Sequence, residues 1–553
     1  MYSGNSAFGG FSEYVNADGS LNTNTAQNPL GLIEQRRDLS TVLRSIGNIQ
    51  IDYKLPFVPG LSANVNLGYD VQRSNGNLYI PATAASNFFR KGVDNPYKQG
   101  LNNTLLETYA KYNRSFGEDF KMELLAGYSF QKFQNLQYRF ADNRADGTVY
   151  IAAEQLYNGQ SSLTDEYDLL SYYGRANLNI KDRYLITGTL RADGSSRFAA
   201  DKRYGYFPSA AFAWRLKGEE FLKNSSTVSD LKIRLGYGQT GQQDIGLGSS
   251  NLYGYQQTYS LSSILSQYAL GNTYYRTLRA EYVNPNLKWE TTSTYNVGLD
   301  YGFFGGRLYG SIDVYQRDTR DLLNTIFLAA GTNYTNAGIQ NVGSLTNKGV
   351  EFAVNMDVVK GDKFNLSLNA NATFNRNKLT KLTNSDAPDA IGVVVSSSGI
   401  ANFDGSFNQN VQINTVGYQE GAFYVYEQKY GPDGKPLNNE FVDRNGDGVI
   451  DSKDLYRYNS PRPKAILGFG GNLSYQRVNL AFTFRSNLGG YLYNNQRSRS
   501  LFVQNSFGAV RNENQEFLYS RFTQNTEQQY LSDYYVEKSD FLRLQNVTLG
   551  YSF

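Results

Sequence analysis

The stretch FLRLQNVTLGYSF, residues 541–553, decides how the chain is read. Val547, Leu549, Tyr551 and Phe553 are apolar. Asn546, Thr548, Gly550 and Ser552 between them are small or polar, so a strand here has one oily face and one wet face. The ends of soluble domains are usually frayed and polar. Here a regular amphipathic strand runs to an aromatic last residue and must be paired, which points to a closing strand of a membrane β-barrel.

Composition agrees. The 553 residues include 53 Gly and 45 Tyr but only 12 Pro, and aromatics reach 14%, a balance that suits strands with aromatic interface anchors rather than helical repeats. A mean hydropathy of -0.51 is no objection, because a barrel strand is apolar only at alternate positions and its lumen and loops are wet. No run reaches the roughly 18 to 20 apolar residues of a transmembrane helix. A net charge of +3 in a chain this long gives no nucleic-acid footprint. The absence of Cys removes disulfides and thiolate chemistry. The absence of His removes the Ser-His and Cys-His pairs and the commonest zinc ligand, so a barrel hydrolase lacks its usual base. MYSGNSAFGG at the start has no basic segment followed by an apolar one. Since an exported barrel needs a signal peptide, the chain is expected to be the C-terminal part of a longer protein.

Going back along the chain, residues 1 to about 40 are polar and read as loop. A strand is expected at about 42–54, and the next is the cleanest: Leu61, Ala63, Val65, Leu67, Tyr69 and Val71 alternate with polar or small neighbours. A polar segment then runs to about 103. Strand pairs follow at about 104–114 and 119–138, 167–180 and 183–193, 203–216 and 229–238, 291–301 and 307–317, 349–358 and 363–376, and 464–475 and 478–489. Most pairs are joined by short turns such as KDR or VKGD, and successive pairs by long polar loops. Bacterial outer-membrane barrels have this asymmetry, with periplasmic turns short and outer loops long, whereas a sandwich has comparable loops at both ends. The last strand then runs inward and Phe553 lies at the periplasmic rim. About 15 strands result, and the first and last run the same way, so they cannot close an even-numbered antiparallel barrel. An odd number of strands is expected to be missing.

Several segments resemble the SusC/RagA-like family of TonB-dependent outer-membrane transporters. They are NPLGLIEQ from Asn28, RYLITGTLRADGSSRF from Arg183, YGYFPSAAFAWRL from Tyr204, LKIRLGYGQTGQQ from Leu231, the long run from Asn284 to Leu323, NKGVEF from Asn347, FVDRNGDGVIDSKDL from Phe441 and the terminal strand. The resemblance implies a barrel of about 22 strands filled by an N-terminal plug, of which residues 1–553 supply the C-terminal part without the plug. It also implies import of oligosaccharides or peptides, a SusD-like surface lipoprotein as lid, and energy from TonB with ExbB and ExbD. Phe553 resembles the aromatic C-terminal signal of barrel assembly. The competing expectation is a passive porin or surface adhesin; a barrel enzyme is disfavoured by the lack of His.

Asp443, Asn445, Asp447, Val449, Asp451 and Asp454 fit the spacing of a 12-residue calcium loop, with Gly448 at the sharp turn. Side-chain oxygens at the first, third, fifth, ninth and twelfth places and the Val449 carbonyl at the seventh would surround one hard cation. Asp454 stands where an EF-hand has Glu, and no flanking helices are evident; the competing reading is a polar turn. Arg191-Ala192-Asp193-Gly194-Ser195-Ser196-Arg197 reads as a hairpin with satisfied side chains rather than an anion cradle. Asp300 and Asp313 read as lumen-lining carboxylates rather than a glycosidase dyad. Tyr301, Phe303 and Phe304 read as interface girdle residues. Tyr530, Tyr534 and Tyr535 are expected either to stack on a sugar or to pack within an outer loop.

Overall fold

The computed structural model describes every residue except 1, 3–5, 154–155, 157–159, 245–251, 264, 329–330, 333–334, 336, 383–392, 395–398, 402–407, 500–518, 521 and 523–525. One antiparallel sheet of 15 strands dominates, each strand hydrogen-bonded to its neighbours in chain order. It begins with β1 (Arg37–Lys54), β2 (Leu61–Ile80), β3 (Val93–Phe116), β4 (Phe120–Tyr138) and β5 (Ser162–Ile180). It continues with β6 (Tyr184–Ser195), β7 (Tyr204–Arg215), β8 (Val228–Gln242), β9 (Glu290–Phe303) and β10 (Leu308–Arg320). It ends with β11 (Ser344–Lys360), β12 (Phe364–Lys381), β13 (Ala465–Tyr475), β14 (Val478–Leu488) and β15 (Phe541–Tyr551).

Register explains why this alternation makes a barrel wall. Opposite residues of an antiparallel pair share a face, so an apolar residue on one strand continues an apolar row on the next. Val297, Val314, Val350 and Phe374 form such a row across β9 to β12, and Val547 opposite Phe482 and Leu549 opposite Leu480 carry the apolar face to β15. The other face carries Asn296, Asp300, Ser311 and Asp313. The apolar face is left exposed, as lipid requires: Val297 is 55% and Leu549 73% accessible.

The strands run longer than the alternation alone suggests. Residues 73–80 and 93–103, expected as loop, pair in continuous register between β2 and β3. Beyond the lipid both faces are wet, so the apolar signal disappears while the backbone ladder continues. Within the first 40 residues, expected as loop, a short helix spans Pro29–Glu34; the Asn28 side chain accepts from the backbone N–H of Leu30 and Gly31, and Pro29 starts the first turn. The β1 strand begins at Arg37.

Short and long connections alternate as expected except around β7, where residues 216–227 at the short-turn end are a longer link than residues 196–203 at the long-loop end. Residues 117–119, 181–183, 304–307, 361–363 and 476–477 make tight turns at one end, where Lys181, Asp182, Phe304 and Gln476 adopt positive φ. At the other end residues 243–289, 321–343, 382–464 and 489–540 make the long loops. The buried apolar cores lie in the loops and at the outer ends of the strands, because within the membrane the strands spend their apolar side chains on lipid. One core joins Phe423, Val425, Tyr426 and Phe441 to Tyr530, Leu531 and Val536. A second packs Phe198, Phe207, Leu287, Trp289 and Ile339.

Among the described residues β1 pairs only with β2 and β15 only with β14. Every step between them is antiparallel, so in a sheet of 15 strands these two edges run in the same direction, as the sequence reading requires.

Candidate functional site: the polar wall and its outer loops

The polar face of the sheet carries a belt of paired charges. Arg234 on β8 reaches Asp300 on β9 (Nη2 to Oδ1, 2.8 Å) and Asp313 on β10 (Nη2 to Oδ2, 3.0 Å), while Lys232 Nζ lies 2.7 Å from Asp300 Oδ2. Register permits this reach: Gly298 stands directly between Arg234 and Asp313. A Cβ there would lie 2.6 Å from Arg234 Cζ and 2.6 Å from Asp313 Oδ1. Asp300 and Asp313 are thus held by cations in a wet wall, the arrangement expected of lumen residues rather than of an acid and base.

The belt extends around the sheet. Arg191 in β6 donates to Asp193 (2.6 Å) and to Ser171 (2.8 Å). Arg197 Nη1 pairs with Asp244 at 3.2 Å in the hairpin that joins β6 to β7, so the side chains of the segment are paired as expected except at the buried Arg197 Nε. Tyr173 donates to Glu107 at 2.8 Å. Asn177 donates to Glu123 at 2.9 Å, and Arg44 pairs with Asp70 at 2.8 Å. Such a surface offers donors and acceptors to a hydrated solute and no apolar trap. Sequence reading found the two carboxylates but not Arg234, since the partner lies 66 residues from Asp300.

Over one part of this wall, the loop before β13 docks on the loop before β15. The buried Gln428 amide donates to the carbonyls of Leu437 (2.7 Å) and Glu440 (3.0 Å), and its oxygen accepts from Ser532 (3.2 Å). Tyr456 Oη donates to Asp533 Oδ2 at 2.6 Å, and the Gln428 N–H donates to Asp533 Oδ1 at 3.0 Å. Burial holds the Asp533 carboxyl above its usual range although Tyr456 pulls it down, and burial also raises the Tyr456 phenol. Tyr530 and Tyr535 are almost inaccessible, at 6% and 1%, and Tyr534 is engaged by the Arg497 guanidinium, which donates to its hydroxyl at 2.6 Å. Of the two expectations for these tyrosines, loop packing is what the structure has. Stacking Tyr530 or Tyr535 on a sugar is ruled out by their burial, because an apolar loop core needs those rings.

The acidic loop lies in the same outer assembly. Asp443 accepts from the N–H groups of Gly446 (2.6 Å) and Gly448 (2.7 Å), Asn445 from Asp447 (2.9 Å), and Asp447 from Val449 (2.9 Å). Asp451 accepts from Lys453 at 2.8 Å. Asp454 is fully buried and accepts from Arg444 (2.8 Å) and Asp451 (2.9 Å); these backbone donors hold its carboxyl below the usual range, that of Asp451 most strongly. Lys453 Nζ sits 3.5 Å from both Asp447 and Asp451. Among the described residues no group of three or more acidic side chains is gathered as a metal cluster. Tyr301 and Phe303 sit at the short-turn end with rings 5.9 Å apart, and Phe304 is 60% accessible in the turn itself, as girdle residues should be.

Comparison with known proteins agrees with this geometry. Residues 2–445 match the family model described as TonB dependent receptor-like, beta-barrel. The chain belongs to that family. It is 37% identical over 541 residues to the TonB-dependent receptor SusC of Bacteroides thetaiotaomicron, a match that covers 96% of this chain and 52% of SusC. It is 30% identical over 569 residues to the TonB-dependent receptor P3 of Formosa agariphila, covering 97% of this chain and 54% of that protein. The chain thus spans about half the length of the curated relatives it matches. A solved structure of the RagAB peptide transporter superposes with a TM-score of 0.73 at 20% identity, over 97% of this chain and 59% of that one, and so supports the fold. The sheet is the wall of a multi-pass barrel in the outer membrane of a Gram-negative bacterium, with its apolar face to lipid and its long loops outside.

Proposed function

We propose that the protein whose barrel wall these residues form imports oligosaccharides or peptides into the periplasm. It acts with a SusD-like surface lipoprotein, and TonB with ExbB and ExbD energises it through a plug. The observation that carries this reading is the 37% identity to SusC along 96% of the chain. A hydrated, charge-paired wall suits polar cargo, because sugars and peptides exchange water for donors and acceptors without meeting an apolar barrier. The reading is non-enzymatic: Asp300 and Asp313 both pair with Arg234, and Asp300 also with Lys232, which is the arrangement of a structural ion-pair network.

The parallel edges support a further part of the proposal. An odd number of additional strands would close the barrel between β1 and β15, since each unpaired backbone group in lipid costs several kcal/mol. For a barrel of about 22 strands that number is about seven. The acidic loop is proposed to bind calcium through Asp443, Asn445, Asp447, Val449, Asp451 and Asp454, with Lys453 swinging out as the ion enters. Support comes from the Asp443 bonds to Gly446 and Gly448, which already fold the loop around that carboxylate.

Uptake of labelled oligosaccharides and peptides by cells carrying the intact protein tests the transport reading. Import should cease when TonB or the SusD-like partner is deleted. Uptake that persists without TonB would place the protein among passive porins, and adhesion without uptake among adhesins.

A further inference from the structure

A cavity of about 1000 Å³ opens on the lipid-facing side of the sheet at its long-loop end. Its floor is the row Val297, Val314, Val350 and Phe374 across β9 to β12. Its upper rim is cationic. Lys348 and Arg376 stand directly opposite each other on β11 and β12, two residues outward of Val350 and Phe374. Lys378 follows on the same face, and Arg457 and Lys464 line the cavity from the loop above.

The lining contains no carboxylate. Lys348, Arg376, Lys378 and Lys464 are exposed, and none makes an ion pair with a described residue. Arg457 donates to Thr415 at 3.3 Å and lies over the Tyr424 ring. The nearby carboxylate of Asp318 accepts from Gln316 (2.7 Å) and Thr346 (2.8 Å). Like charges directly opposite on paired strands destabilise a sheet, and this pair is kept where the apolar band meets the outer leaflet headgroups. An anion placed between them reverses that repulsion. The cavity faces away from the lumen, so its occupant comes from the membrane, and the apolar floor requires that the same molecule carry hydrocarbon.

We propose that this cavity binds a phosphate-bearing lipid of the outer leaflet. The phosphate lies among Lys348, Arg376 and Lys378, where charge-assisted bonds to ammonium and guanidinium groups are strongest, and an acyl chain lies along Val314, Val350 and Phe374. The site ties the outer ends of β9 to β12 to the leaflet, directly below the loops.

The test uses the intact protein in detergent micelles, titrated with a diphosphorylated lipid A and with its dephosphorylated counterpart. Wild type should bind the phosphorylated lipid at least tenfold more tightly. The K348Q/R376Q/K378Q variant should lose that preference while keeping the heat-modifiable mobility of a folded barrel. Equal binding of the two lipids by wild type, a measurement that needs no variant, overturns the proposal. Full competition by millimolar inorganic phosphate also overturns it, because the site would then recognise a free anion and not a lipid.

Discussion

Tyr456 Oη donates a 2.6 Å hydrogen bond to Asp533 Oδ2 and so ties the loop between β12 and β13 to the loop between β14 and β15. The bond is partly buried beside the apolar core that joins the same two loops, and the carboxyl is raised by that burial. Folded loops therefore keep the Asp533 carboxyl protonated to a higher pH than undocked loops do. The linked stability is full below the ordinary carboxylate range and falls as pH rises through the raised value. Glu427 nearby pushes in the same direction. Hydrogen exchange, corrected for intrinsic rates, should show residues 426–430 and 531–535 better protected at about pH 4 than at about pH 8. Protection that does not change with pH contradicts this.

Replacing Arg234 by Met removes the cation shared by Asp300 and Asp313. The pairs are only partly buried, so the loss should be about 1 to 2 kcal/mol rather than the larger penalty of a dry pair. Urea unfolding of the intact barrel in lipid vesicles measures it. The same variant should leave TonB-dependent uptake within a few fold if the belt is structural, and unchanged stability would show that the pairs contribute nothing.

Gly298→Ala should act through Arg234. The new Cβ displaces the guanidinium and costs about 1 kcal/mol in the wild-type background. In the Arg234→Met background it should cost little, because the group it displaces is gone. A double-mutant cycle with additive losses refutes the coupling.

For the acidic loop, calorimetric titration of the intact protein with calcium should give binding heat that Asp447→Ala abolishes. Lys453→Gln should bind more tightly than wild type, since the ammonium competes for the Asp447 and Asp451 carboxylates. No heat from wild type ends the calcium proposal.

Residues 1–553 expressed alone should not form a compact, heat-modifiable barrel, since among the described residues β1 and β15 present unpaired edges of the same direction. A stable, heat-modifiable species from this segment would refute the requirement for further strands.

The sequence by itself determined the strands of the wall, their faces and their directions. In FLRLQNVTLGYSF and in the run from Leu61 to Val71, lipid on one side and water on the other impose a period of two that no soluble loop imitates. Turn lengths then fixed which end faces out. The period failed at residues 73–80 and 93–103, where both faces are wet and the ladder alone holds the strands. Tertiary structure decided whatever depends on register between distant strands. It placed Gly298 between Arg234 and Asp313, set Lys348 against Arg376, and put Tyr535 in a core while leaving Phe304 exposed. A side chain's own face is written in its neighbours two residues away, but the partner across the ladder is set by loops of any length. The outer loops have no period at all, so only their packing showed that Tyr456 meets Asp533.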